Sequence, residues 1–241
     1  MKLSTALLVF LTFFSSVGLA QEKPLDGNPV TVKKTTDFEL TGDGKNSSWE
    51  STQWVNMTQR KQLGAPGETK FKVLYSEKGI YFLFYSEDTS LDASILADNK
   101  HLWKEDVVEV FLWADTTKEV YFEYELSPLN YELPLMVMNI EGQRHRWQPW
   151  FYEDNRAILH QTAVQGGSKK SGASIKSWTA EFFIPFSLLL PIGQMPPKSG
   201  TAWKANMYRM DYVNKKGMYW SWKKIDSSFH EIHNFGALLF E

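Results

Sequence analysis

Alternation of apolar and polar side chains with a period of two runs through almost the whole chain, and it restricts the fold more than any other feature. Successive side chains of a strand point to opposite faces, so this period belongs to β-structure. Phe71–Tyr75 and Ile80–Tyr85 flank Ser76-Glu77-Lys78-Gly79, which reads as strand, turn, strand. Val107–Leu112 and Val120–Leu126 form a second such pair around Asp115-Thr116-Thr117-Lys118. Further strands read at Trp178–Ile184, Trp203–Tyr212, Met218–Trp222 and Gly236–Phe240. Helical periodicity is confined to Phe186–Leu190, a single turn stopped by Pro191. Many short strands without intervening helices specify an all-β fold: one antiparallel β-sandwich of jelly-roll or immunoglobulin-like type, with minimal helix. No linker interrupts residues 35–241, and the Gly166–Gly172 stretch reads as a hairpin loop.

Charge and cysteine content remove several functions. Lys and Arg number 26 against 28 Asp and Glu, too balanced for a chain that grips nucleic acid through its phosphates. The absence of Cys removes thiol catalysis, zinc fingers, iron–sulfur clusters, disulfides and a lipoprotein anchor. Aromatic residues make up 15%, a density that suits pleated sheets and surfaces that stack on flat ligands.

The first 20 residues read as an export signal. Lys2 precedes the apolar stretch Ala6–Phe14, and Gly18-Leu19-Ala20 supplies the small residues of a cleavage site. The stretch is too short to span a membrane, which takes roughly 20 apolar residues. Residues 1–20 are therefore expected to be a signal peptide and 21–34 a leader into the fold. The expected location is the periplasm or the medium, without a membrane span.

Three segments can carry chemistry. In Leu102–Phe111, Trp103 stands just before a strand and can project from its end. Glu109 shares a strand face with Val107 and Phe111, so its charge needs a ligand or an ion-pair partner such as Arg209. In Tyr121–Asn130, Glu123 and Glu125 point the same way, and paired carboxylates raise glycoside hydrolysis, calcium or plain ion pairing. In the tail, His230 and His233 invite a metal, against the plainer reading of hydrogen-bonded histidines. Trp220 and Trp222 share a strand face and read as core. Trp147 and Trp150, in a basic, loop-like stretch, are the better stacking platforms.

Taken in order, these segments resemble the family 9 carbohydrate-binding modules. The matching features are Gly42-Asp43-Gly44 with Trp49, the strand pair ending at Asp88, Leu102–Phe111 and Tyr121–Asn130. They continue with Ser177–Glu181, the Gly200–Asp211 strand with Asn206 and Arg209, and Phe229-His230 before Phe235-Gly236. The resemblance implies a β-sandwich that binds poly- or oligosaccharide such as xylan or glucan without cleaving it. It also implies partnership with glycoside hydrolases in carbohydrate breakdown, and structural calcium whose ligands it does not identify. The ligand set it implies is Trp103, Glu109, Glu123, Arg209 and Phe229, with Trp103 and Phe229 facing each other across a shallow cleft above Glu109. Two positions depart from the family pattern. Phe229 replaces a Trp, and Glu123 stands near a basic position, a charge reversal that points to a different ligand or a vestigial site. Two other functions stay open: a glycoside hydrolase using Glu109, Glu123 or Glu125, and a haem-binding sandwich with Met207 or His230 as ligands.

Overall fold

The computed structural model describes residues 28–61, 67–213 and 215–241. The expected signal peptide, its expected cleavage site and the leader up to residue 27 lie outside these residues. Among them are fourteen strands. In the first third of the chain come β1 (Val30–Lys34), β2 (Val55–Asn56), β3 (Thr58–Lys61), β4 (Thr69–Tyr75) and β5 (Gly79–Glu87). β6 (Val107–Trp113), β7 (Val120–Leu126), β8 (Glu132–Ile140), β9 (Gln143–Pro149) and β10 (Leu159–Gln165) follow. The last four are β11 (Ser177–Pro185), β12 (Ala202–Val213), β13 (Lys216–Ser221) and β14 (Gly236–Phe240). The short helix α1 (Phe186–Leu189) falls where the sequence places its one helical turn.

The strands form two sheets. One runs β10-β11-β5-β4 with β2 beside β4; the other runs β14-β12-β6-β7-β8-β9, with β13 and β3 continuing from β12. β1 belongs to both. Val30–Val32 pair with β14 and Lys33-Lys34 with β4, and both pairings are parallel while every other strand ladder is antiparallel. The end of the expected leader is therefore a strand. Its valines are too few to show a period, but Val32 is fully buried in the core between the sheets.

Apolar side chains fill three layers. The main core lies between the sheets and takes Val108, Val110 and Leu112 from β6, and Phe122 and Tyr124 from β7. A second cluster covers the outer face of the β6–β7–β8 sheet with Val107, Phe111, Tyr121, Leu133 and Leu135 beneath Leu102, Ile232 and Phe235. A third covers the outer face of the β4–β5 sheet beneath Trp49. Strands buried on both faces lose the polar half of their pattern, which is why β6 reads as a nearly continuous apolar run.

The glycine motif near the N-terminus fastens that third layer. Glu181 on β11 accepts hydrogen bonds from the Gly42 and Thr41 amides (2.6 and 2.9 Å) and from the Trp49 indole (2.7 Å). Gly44 has φ +70°, and a Cβ there would lie 2.7 Å from Leu83 Cδ2, so no other residue fits without a shift.

Among the strands that escape the sequence reading, β8 and β9 bear on the site. β8 carries Pro134, which argues against a strand, and β9 is an edge strand with little buried surface, so neither shows a clean alternation. They join through Glu141 and Gly142, both with positive φ, the backbone of a two-residue hairpin turn. Trp147, expected in a loop, lies on β9 opposite Val137. The Gly166–Gly172 loop joins β10 to β11 as expected.

Candidate functional site

β6 and β7 are antiparallel neighbours in register, and that register decides which carboxylates meet. Glu109 opposes Glu125, and Phe111 opposes Glu123. All three glutamates leave the sheet on its outer face and are buried, with exposures of 2% for Glu109, 5% for Glu123 and 0% for Glu125. They line a cleft of about 580 Å³ together with Trp103, Trp147, Arg144, Tyr219, Phe229 and His230. Its size suits a small ligand.

The two rings singled out from the sequence line this same cleft, each with backing of its own. Trp103 sits on a short 3-10 turn, Leu102–Lys104, anchored by buried Leu102 and by the Tyr212 hydroxyl, which donates to the Trp103 carbonyl (2.9 Å). Its indole stacks on His101 with centroids 4.4 Å apart and meets Trp147 edge-on at 5.5 Å. Phe229 stacks on Tyr208 at 4.2 Å with planes 8° apart. The Tyr208 hydroxyl donates to the Phe229 carbonyl (2.7 Å), and the Asn206 amide donates to that hydroxyl (2.8 Å). The loop carrying Phe229 is closed by Glu231, whose carboxylate accepts from the amides of Asp226, Ser227 and Ser228 (2.8, 2.7 and 2.9 Å).

Charge in the cleft is unbalanced. Burial pushes the Glu109 carboxyl well above the usual range, and repulsion by Glu123 adds to it. Burial raises Glu123 to about 8, against the pull of a hydrogen bond to Glu125 and of Arg144. Glu125 is raised well above its ordinary value by burial and then by Glu109 and Glu123. Burial, helped by Arg144, lowers His230 to about 4, so the ring is neutral at pH 7, with its Nδ1 hydrogen-bonded to the Tyr121 hydroxyl. Both carboxyl oxygens of Glu125 and Oε2 of Glu123 are buried with no protein donor directed at them, and the Glu123 and Glu125 carboxyls are close enough to share a proton. Buried polar atoms are nearly always paired, so these are poised for a ligand.

Arg209 is not in the cleft. On β12 it is Tyr208 that stands opposite Glu109; Arg209 stands opposite Val108 and so points into the sandwich. There it is fully buried, donating to Asp88 (3.0 Å), Asp211 (2.9 Å), Thr69 and the Glu87 carbonyl, with its guanidinium 4.5 Å from the Trp220 ring. The Glu109–Arg209 ion pair raised from the sequence does not form, because adjacent residues of a strand face opposite ways. Trp220 is core as expected, and Trp222 packs against that core. Trp150 also packs there, so of the two platform tryptophans only Trp147 reaches the cleft. Met207 lies in the inter-sheet core and His230 on the cleft side, so the two do not share a haem site.

Arg209 marks a second polar centre. Oxygens of Asp88, Asp106 and Asp211 lie within 4.8 Å of one another, all buried, a group that could hold a metal ion. Burial raises Asp106 well above the usual range, and Asp88 and Asp211 add to it. Asp211 is raised to about 6 by burial, against the pull of Arg209. Its Oδ1 has no hydrogen-bond partner. His230 and His233, the other metal suggestion, join no such group among the described residues.

Sequence reasoning missed Arg144, Tyr208 and Tyr219 in the cleft wall or behind it. Arg144 belongs to the hidden strand β9, and the Glu141-Gly142 pair was the signal that could have exposed it. Tyr208 follows from the parity of β12 once β12 is paired with β6.

Residues 43–240 match the family model described as carbohydrate-binding family 9. Among solved structures, a protein from Bacteroides uniformis is similar at 18% identity and TM-score 0.73, over 89% of this chain and 100% of that one. A family 9 carbohydrate-binding module from Caldicellulosiruptor kristjanssonii in complex with cellotriose gives 13% identity and TM-score 0.62, over 89% of this chain and 94% of that one. One from the same organism in complex with glucose gives 12% and 0.62, over 88% and 95%. Among curated proteins none matches the chain.

Proposed function

Because the chain belongs to carbohydrate-binding family 9, we propose that the cleft lined by Trp103 and Phe229 holds a sugar unit of a glucan or xylan and does not cleave it. One observation carries this reading. Two rings from segments far apart in sequence, each buttressed by a second ring, line one cleft that also presents buried carboxyls. Apolar C–H faces of a pyranose stack on such rings, and the carboxyls accept from or donate to its hydroxyls. Glu109 and Glu123 serve the hydroxyls. Arg209 serves the fold instead, by holding Asp88 and Asp211.

Titration of the full chain with glucose, cellotriose and a xylo-oligosaccharide, followed by tryptophan fluorescence and calorimetry, tests the proposal. Saturable binding that is lost in Trp103→Ala supports it. Sustained release of reducing sugar, abolished by Glu123→Gln or Glu125→Gln, would establish the hydrolase reading in its place. A visible haem spectrum on the purified protein would favour the haem reading.

We also propose calcium for the Asp88, Asp106 and Asp211 centre. Three carboxylates against one guanidinium leave an excess of negative charge. The unpartnered Asp211 oxygen and the all-oxygen donor set suit a hard cation. The ion would neutralise the aspartates that Arg209 leaves unbalanced and so tie β12 to the end of β5. Export to the periplasm or the medium, and service to a glycoside hydrolase that acts on the bound chain, complete the proposal. Among the described residues no helix is long and apolar enough to cross a membrane.

A further inference from the structure

The carboxyls of the cleft outnumber what a neutral sugar needs. Glu109, Glu123 and Glu125 converge from two neighbouring strands onto one wall, and Arg144 is the one Lys or Arg in the lining. Glu125 is fully buried, lines the cleft and has no protein donor directed at either oxygen, its nearest polar neighbour being the Glu123 carboxyl. Ionised together, three acids in one wall oppose one another at a cost, and burial favours their protonated forms in the empty cleft. A cationic ligand relieves that cost, which a neutral hydroxyl ligand does not. A small metal ion is a poor fit, because among the described residues only Asp88, Asp106 and Asp211 bring three such oxygens within 4.8 Å of one another. The same cleft carries the aromatic rings Trp103 and Phe229, whose faces attract an ammonium group as well as a sugar ring.

We propose that the cleft selects a sugar bearing a free, protonated amine, a hexosamine unit, over its neutral counterpart, with Glu123 and Glu125 receiving the ammonium group. The proposal rests on the reading of this cleft as the sugar site. It gives the acid at position 123 a role: the carboxylate receives a charged donor on the ligand. An ammonium group donates up to three hydrogen bonds, enough for the unpartnered oxygens of Glu123 and Glu125. Hydrogen bonds to charged groups are about twice as strong as neutral ones, so a preference of about tenfold is expected.

The test measures the affinity of the full chain for glucose, glucosamine and N-acetylglucosamine, at a pH where the glucosamine amine is protonated, with cellotriose as the reference ligand. Glucosamine should bind about tenfold tighter than glucose, and N-acetylglucosamine, which keeps the nitrogen but loses the charge, should not share the gain. The ratio of glucosamine to glucose affinity should fall toward one in Glu125→Gln and in Glu123→Gln; the second variant decides the matter if the first fails to fold. Glucose binding as tightly as glucosamine would overturn the hexosamine inference and leave the sugar site standing. An undiminished ratio in both variants would overturn it too. Failure of every sugar, cellotriose included, would remove the sugar site itself and the inference with it.

Discussion

Glu109 on β6 and Glu125 on β7 stand directly opposite each other across an antiparallel pair, both buried. Two acids in this relation are destabilising when charged, so the pair costs stability in the ligand-free protein at pH values where both ionise. Glu125→Gln should therefore raise the unfolding midpoint of the ligand-free protein by ~2–4 °C, for about 1 kcal/mol gained, measured at mildly alkaline pH. A fall in the midpoint would mean that the Glu125 carboxyl holds a structural bond.

Glu123 makes stability depend on pH in a defined direction. Folding raises its pKa from 4.5 to about 8, chiefly by burial, so the folded state binds the proton more tightly. Stability from this group is then full below about 4.5 and is lost as pH climbs through about 8. Chemical denaturation across that range should show the decline, and Glu123→Gln should flatten it.

Removing a stacking ring should weaken sugar binding by about 1–3 kcal/mol, by analogy with rings that stack on bases, or roughly ten- to a hundredfold. Trp103→Ala and Phe229→Ala are both expected to show this loss. Trp150→Ala is the matched control: its ring packs on the sandwich core outside the cleft lining, so affinity should hold while the unfolding midpoint falls.

Calcium at Asp88, Asp106 and Asp211 should appear as a shift in unfolding. A ligand that binds only the folded state adds about 2.7 kcal/mol at a hundredfold excess over its Kd. Added calcium should raise the midpoint, chelator should reverse it, and Asp211→Asn should remove the response while sugar binding persists. Equal midpoints with and without the ion would discard the site.

The loop carrying Phe229 should loosen in acid. Burial works against ionisation of Glu231, yet the amides of Asp226, Ser227 and Ser228 hold its pKa down at about 2. The loop closure it supplies is intact above about 4.5 and is lost as pH falls toward about 2. Glu231→Gln should mimic the acid state at neutral pH, with faster amide exchange at Ser227 and Ser228 and a few-fold weaker binding.

Legibility of the fold followed burial. Strands with one clear alternation, such as β7 and β12, stand out in the sequence, as does the turn at Phe186. β9 was hidden because an edge strand with exposed Arg144, His145 and Arg146 has no buried face to mark it. The cleft was half legible. Parity along one strand puts Glu123 beside Glu125 and sets Glu109 among apolar neighbours. The meeting of Glu109 with Glu125, and the turning away of Arg209, depend on the register between strands, which no single segment carries.

The placement of β1 sets the order in which the molecule can be completed. Val30 lies beside Leu238 and Lys33 beside Leu74, so the seam between the sheets needs the opposite ends of the described chain at once. Contacts so distant in sequence close late and slowly during folding. The residues just before β14 include Phe229 and His230, so the docking of β14 beside β12 and β1 fixes the far end of the loop that brings them to the cleft. A chain that lacks Gly236–Phe240 has an open seam and leaves the loop of Phe229 untied at one end, which makes ligand binding a report on closure of that seam.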